Sequence, residues 1–101
     1  MYYILVTELE TTSFTSCKLQ GLKTDELESL EKKFTELNLV SSKQEHFFEV
    51  DVQGIRVLNI LCGDDYNYRI TSQSMTMEKT DIGGRTIQVQ KLVWILCKQQ
   101  V

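Results

Sequence analysis

One amphipathic helix, set in a chain that otherwise alternates like strands, constrains the fold most strongly. The predicted helix covers Thr24–Asn38 and carries one apolar stripe, formed by Leu27, Leu30, Phe34 and Leu37. Thr24 is its predicted N-cap, because the hydroxyl can accept a hydrogen bond from a first-turn backbone N–H. Such a helix must bury its stripe against another element, and a sheet face is the expected partner.

Two strands are predicted before this helix. Tyr2–Leu9 is rich in β-branched and aromatic residues, and both of its alternating faces are apolar. A strand with two apolar faces is typically covered on both sides, which predicts a central position in the sheet. Phe14–Gln20 fits a second strand that ends at Gly21, although its membership of the sheet stays open at this point.

A first hairpin is predicted at Gln53-Gly54, the only turn signal between two strand-like runs within Gln44–Gly63. A two-residue loop pairs Val52 with Ile55. The same register then makes Asp51 and Arg56 an opposite-charge cross-strand pair, which supports it.

A second hairpin is predicted at Asp81–Gly84, between an alternating run that begins at Tyr66 and the long strand Arg85–Lys98. The expected fold is therefore a single α+β domain over residues 1–101. One helix packs on a five- or six-stranded, mostly antiparallel sheet in the order β-(β)-α-β-β-β-β, with a meander as the simplest arrangement.

The first hairpin also bears on catalysis, because His46 is the only histidine and Cys62 is the cysteine nearest to it in sequence. In the predicted register the two side chains project from opposite faces, so that the sheet separates them. One histidine and three dispersed cysteines do not match the ligand spacing of a zinc site. Gly83-Gly84 lacks the spacing of a phosphate-binding loop. We therefore expect no enzyme, and no catalytic, cofactor-binding or metal-binding residue.

Charge and cysteine usage narrow the class of protein further. The net charge is −3, so the chain lacks the long-range attraction to phosphate backbones that nucleic-acid binding requires. Cys17, Cys62 and Cys97 are too dispersed for a disulfide framework, which predicts a reducing compartment. The apolar run at the beginning of the sequence ends at Val6, too early for a signal peptide or a membrane span. A cytoplasmic protein without membrane contact is expected.

These exclusions favour a non-catalytic protein–protein interaction module, such as a small inhibitor, an immunity-type protein or an adaptor. The class includes products of phages and mobile elements. The surface predicted to bind a partner follows the second hairpin and comprises Tyr66, Tyr68, Arg69, Ser72, Ser74, Thr76, Glu78 and Arg85.

Two other functions remain open at this point. The first is a small-molecule- or nucleotide-binding domain or weak enzyme. Its pocket would lie between helix and sheet and draw on Tyr2, Tyr68, His46 and Cys62. The second is a structural subunit that forms a homodimer through an edge strand.

Overall fold

The computed structural model describes residues 1–99, except for the side chain of Ile82. Eight elements follow one another along the chain: β1 (Tyr2–Glu10), β2 (Thr15–Gln20), α1 (Thr24–Glu36), β3 (Ser41–Lys43), β4 (Phe48–Val50), α2 (Gly54–Leu61), β5 (Arg69–Ile82) and β6 (Arg85–Lys98). The α+β class and the antiparallel sheet are confirmed.

The six strands form one sheet in the order β3-β4-β2-β1-β6-β5, and every neighbouring pair is antiparallel. β1 lies at the centre, as its two apolar faces predicted. β2 belongs to the sheet, which resolves the question that the sequence left open. The predicted meander is wrong: the hairpin β3–β4 joins β2 on one side, whereas the hairpin β5–β6 joins β1 on the other.

The predicted hairpin at Gln53-Gly54 is also wrong, because Gln53 is the N-cap of a second helix, α2. Val57, Leu58 and Leu61 lie at i, i+1 and i+4 on one side of this helix and are buried. The predicted single helix and the strand order derived from it are therefore corrected to two helices and the element order given above.

The cross-strand pair that supported this hairpin does not form. Asp51 precedes α2 and Arg56 lies on it, and both residues are exposed. α2 has only eight residues, and the periodicity of so short a segment does not distinguish a helix from a strand. Its many β-branched and apolar residues therefore led to the prediction of a strand.

α1 confirms the predicted helix and ends two residues earlier, at Glu36. Lys23, rather than Thr24, is its N-cap residue. Leu30 and Phe34 from the predicted stripe are fully buried, and the Phe34 ring stacks on Phe48 with 5.8 Å between ring centroids. The stripe therefore anchors α1 to the sheet.

Both helices pack against the same face of the sheet. One continuous core joins them to buried strand residues, which include Ile4, Val6, Cys17, Leu19, Phe48, Val50 and Leu96. The side chains that alternate with these on the strands point to the opposite face, where residues 1–99 provide no covering helix.

Candidate functional site

The sheet surface that faces away from both helices is the main candidate site, and we name it the open face. Strand register defines its members, because directly paired residues share a face. Across β1, Leu5 pairs with Gln20 and Ile95, and Thr7 pairs with Lys18 and Val93. The open face comprises Tyr3, Leu5, Thr7, Leu9, Ser16, Lys18, Gln20, Ser42, Glu49, Arg69, Ser72, Ser74, Thr76, Glu78, Thr80, Arg85, Ile87, Val89, Lys91, Val93, Ile95 and Cys97.

An apolar group surrounds Thr7 at the centre of the open face. Leu5, Leu9 and Val93 are half-buried, while Tyr3 is 55% exposed and Ile95 is 38% exposed at its rim. The solvent face of an antiparallel sheet is normally polar, whereas contiguous exposed apolar side chains mark interaction sites on proteins. This surface therefore has the character of an interface.

A shallow cavity of about 490 Å³ lies on the open face. Its lining consists of Leu5, Thr7, Leu9, Lys18, Gln20, Phe47, Lys91 and Val93. The ammonium group of Lys18 lies 4.7 Å from the centroid of the Phe47 ring. Lys18 on β2 and Lys91 on β6 stand on opposite sides of β1, and both charged residues of the lining are cations. The cavity lining is thus mostly apolar, and its two charged side chains are positive.

Six of the eight residues predicted to bind a partner belong to the open face: Arg69, Ser72, Ser74, Thr76, Glu78 and Arg85. All six are exposed. Their place beside the apolar centre was not foreseen. The sequence of β1 contained the relevant signal, because its two apolar faces indicate that both sides of the sheet are covered.

Tyr66 and Tyr68 complete the predicted set, and both are buried. The hydroxyl of Tyr66 lies 2.7 Å from Ser29 Oγ. Tyr68 donates its hydroxyl proton to Glu26 Oε1 at 2.7 Å. Burial raises the pKa of Tyr68, and the bond to the Glu26 carboxylate raises it further. Both rings thus contact α1, and the binding role predicted for all eight residues stays a prediction.

A buried carboxylate stabilises the beginning of α2. Glu8 is 6% exposed on β1, and its Oε2 accepts the Gly54 N–H at 2.6 Å. Negative charge at this position suits the helix dipole. Beside it, Cys17 donates its thiol proton to the Val52 carbonyl oxygen over 3.2 Å. Burial, together with the nearby Glu8 charge, raises the pKa of Cys17 to about 12. This thiol stays protonated at neutral pH and is a poor nucleophile.

His46 and Cys62 lie on different elements. His46 occupies the turn between β3 and β4, its side chain is 83% exposed, and its Nε2 lies 3.8 Å from Glu45 Oε1. Cys62 is the exposed C-cap residue of α2, and partial burial raises the pKa of its thiol. The predicted reason for their separation, opposite faces of a hairpin, is wrong because that hairpin does not form. No hydrogen bond joins the two within residues 1–99.

A second cavity, of about 630 Å³, lies near the beginning of α1 and is lined by Lys23, Asp65, Tyr66, Asn67, Arg69, Lys98 and Gln99. Lys98 forms an ion pair with Glu26, donates to the Tyr66 carbonyl oxygen at 3.2 Å, and lies 4.6 Å from the Tyr68 ring centroid. Because Glu26 neutralises Lys98, Lys23 and Arg69 stand against Asp65 in this lining. The resulting excess of one positive charge suits a small anion.

Across the part of the chain that the structure describes, no three His, Cys, Asp or Glu side chains are grouped closely enough to hold a metal ion. Neither helix within residues 1–99 combines the length and the apolar character needed to cross a membrane. A scan against models of known protein families finds no match, and a comparison with curated proteins finds no similar sequence.

Proposed function

We propose that the protein is a non-catalytic interaction module that binds a protein partner through the open face. One observation carries the proposal: β1 and the second half of β6 are apolar on both faces, but α1 and α2 cover only one of them. Burial of apolar surface contributes roughly 25 cal/mol per Å², so a partner that covers Leu5, Leu9 and Val93 would be stabilised by their removal from water.

The charges around this surface indicate the chemistry of the partner. Lys18 and Lys91 are the charged residues that line the cavity of the open face, and Glu49 lies beside Lys18 as its cross-strand partner. A complementary surface therefore presents an apolar side chain that fills the cavity, with carboxylates on either side that meet the two lysines. An inhibitor, an immunity-type protein and an adaptor all act by binding of this kind.

Affinity capture tests the proposal if it includes matched variants. The tagged protein is used to capture partners from an extract of its source cells, and captured proteins are identified by mass spectrometry. The variant Lys18→Glu/Lys91→Glu reverses both charges of the cavity. The control Lys32→Glu/Lys43→Glu makes the same change in charge at two exposed residues outside the open face.

The proposal predicts a partner that the native chain and the control both capture and that the open-face variant loses. The captured partner should then bind the purified native protein with a measurable Kd, and this Kd should rise as salt is added. Equal capture of this partner by the open-face variant and the control would contradict binding through the open face.

Small-anion binding is a second candidate function, favoured by the excess of cations around the 630 Å³ cavity. Ligand binding to the folded state raises Tm, so inorganic phosphate should stabilise the native chain more than it stabilises Lys23→Glu/Arg69→Glu. Comparing the two chains matters because phosphate stabilises proteins generally by exclusion from their surfaces. An equal Tm rise in both would dismiss this cavity as a phosphate site.

The proposed location is the cytoplasm. Cys17 and Cys97 are buried free thiols and Cys62 is an exposed one, which fits a reducing compartment. Self-association through an edge strand is independent of partner binding, because it uses the backbone edge of β5 and leaves the open face accessible.

A further inference from the structure

We propose that β5 pairs antiparallel with β5 of a second copy of the chain. The two copies are related by a two-fold axis that passes midway between their Thr76 residues. This pairing extends the sheet across the dimer and is distinct from partner binding through the open face. It rests on the edge position of β5, on the symmetry of a paired edge, and on the side chains that each register brings together.

β5 is a long sheet edge whose middle carries no charge. It has 14 residues, it pairs with β6 alone among residues 1–99, and every described side chain on it is exposed. Natural edge strands are usually short or carry charges and prolines that block further pairing. The segment Ser72–Met77 has neither a charge nor a proline over six residues. Its free backbone groups are therefore available to another strand.

Symmetry restricts how two copies of this edge can pair. A two-fold axis perpendicular to the sheet keeps each face on its own side, so residues that face each other across the axis come from the same face. A bulge between Ile70 and Ser72 ends the regular part of the strand. Near the middle of that regular part, three registers are available, in which Met75, Thr76 or Met77 faces its own copy across the axis.

The side chains favour the axis at Thr76. This register places Met75 opposite Met77 of the second copy, so that four methionines meet on one face. In the free chain Met75 is 58% exposed and Met77 is 52% exposed. It also sets the two Thr76 hydroxyls side by side, a favourable cross-strand pair.

The polar residues agree with the same register, since Glu78 faces Ser74 of the second copy, and Lys79 faces Gln73. No like charges meet. With the axis at Met75, each Met77 faces Gln73, and with the axis at Met77, each Met75 faces the charged Lys79. Both alternatives leave exposed methionines opposite polar groups.

The dimer has a consequence for binding. Two copies related in this way present their open faces on the same side of one twelve-stranded sheet. A partner with two equivalent sites would then be bound twice, with the gain in affinity that multivalency provides.

Disulfide trapping tests both the edge and the register. Cys62 is exposed, so the experiment uses a Cys62→Ser background. Thr76→Cys should give a disulfide-linked dimer under mild oxidation. Ser72→Cys alone should not, because its two copies lie eight residues apart along the paired strands, roughly 26 Å. Ser72→Cys mixed with Thr80→Cys should give the mixed dimer only.

Mass measurement in solution completes the test. Light scattering after size exclusion should give twice the 11.7 kDa chain mass for the native protein. Met75→Lys/Met77→Lys, whose changes are both at exposed residues, should give a folded monomer by circular dichroism. A monomeric native chain, a dimer that this variant leaves intact, or trapping at Ser72 alone would each overturn the proposal.

Discussion

Gly54→Ala tests the position of α2 sharply, because two physical arguments give it opposite signs. Gly54 is the first residue of this helix, where the preference for alanine over glycine is at most the value of about 1 kcal/mol found in a helix interior. Helix propensity alone therefore predicts a more stable protein. The surroundings of Gly54 predict the reverse, because a Cβ at this position would lie 2.8 Å from both Cη2 and Cζ3 of Trp94 and 3.0 Å from Glu8 Oε2.

These contacts set the magnitude. Overpacking of this kind costs about 1–3 kcal/mol, since the indole ring or the first turn of α2 must move. Movement of the first turn also weakens the 2.6 Å hydrogen bond from Gly54 to Glu8. Hydrogen bonds to charged groups contribute about 1.5–3 kcal/mol. After subtraction of the propensity gain, we expect the free energy of unfolding to fall by about 2 kcal/mol.

Urea unfolding followed by circular dichroism measures this change, and Trp94 supplies a second signal as the only tryptophan. Its emission maximum should shift in the folded variant as the ring is displaced. The matched control is Asn59→Ala, at an exposed position of the same helix, where only the propensity gain of up to about 0.7 kcal/mol applies. If Gly54→Ala gained stability as this control does, with unchanged emission, the contact of α2 with β1 and β6 would be refuted.

Three further predictions concern buried groups. In the native protein, Cys62 should react with a thiol reagent, whereas Cys17 and Cys97 should react only on unfolding. An absorbance assay that follows the reaction over time measures this difference. Equal rates for all three thiols would contradict the burial of Cys17 and Cys97. The folded-state pKa of Cys17 is raised from 9.0 to about 12, so its contribution to stability is complete below pH 9.0 and is lost as the pH rises towards 12. Urea unfolding across that pH range should show a smaller loss of unfolding free energy for Cys17→Ala than for the native chain. If the free energies of the two proteins fell in parallel with pH, the raised pKa of Cys17 would be contradicted. Tyr68→Phe removes the donor to Glu26 and should cost about 1–2 kcal/mol in the free energy of unfolding, whereas no change would dismiss this buried bond.

The elements that could be predicted from sequence are those whose pattern is long. α1 carries an apolar stripe over several turns, and β5 and β6 alternate over 14 residues each around the turn at Gly83-Gly84. Periodicity over such lengths is a local property of the chain. It therefore indicates the element without knowledge of what packs against it.

α2 could not be predicted in the same way, because distant residues decide its conformation. Glu8, 46 residues earlier in the chain, accepts the first N–H of this helix, and Trp94 occupies the space beside Gly54. Locally, Gln53-Gly54 followed by an apolar run reads equally well as a turn and a strand. Tertiary contacts of this kind routinely override local preference.

The open face was hidden by an ambiguity in the pattern of β1. Apolar residues on both faces of a strand indicate that both faces prefer cover, but they do not say whether the same chain supplies it. Here α1 and α2 cover the face of Ile4 and Val6, and leave that of Leu5 and Leu9 accessible.

The central claim is that these apolar side chains lack cover in the isolated chain. Methyl NMR with a soluble paramagnetic reagent tests it directly. We predict strong relaxation of the methyl groups of Leu5, Leu9 and Val93, and little effect on those of Leu19 and Leu61, which are 1% and 0% exposed. Equal protection of all five residues would contradict the claim.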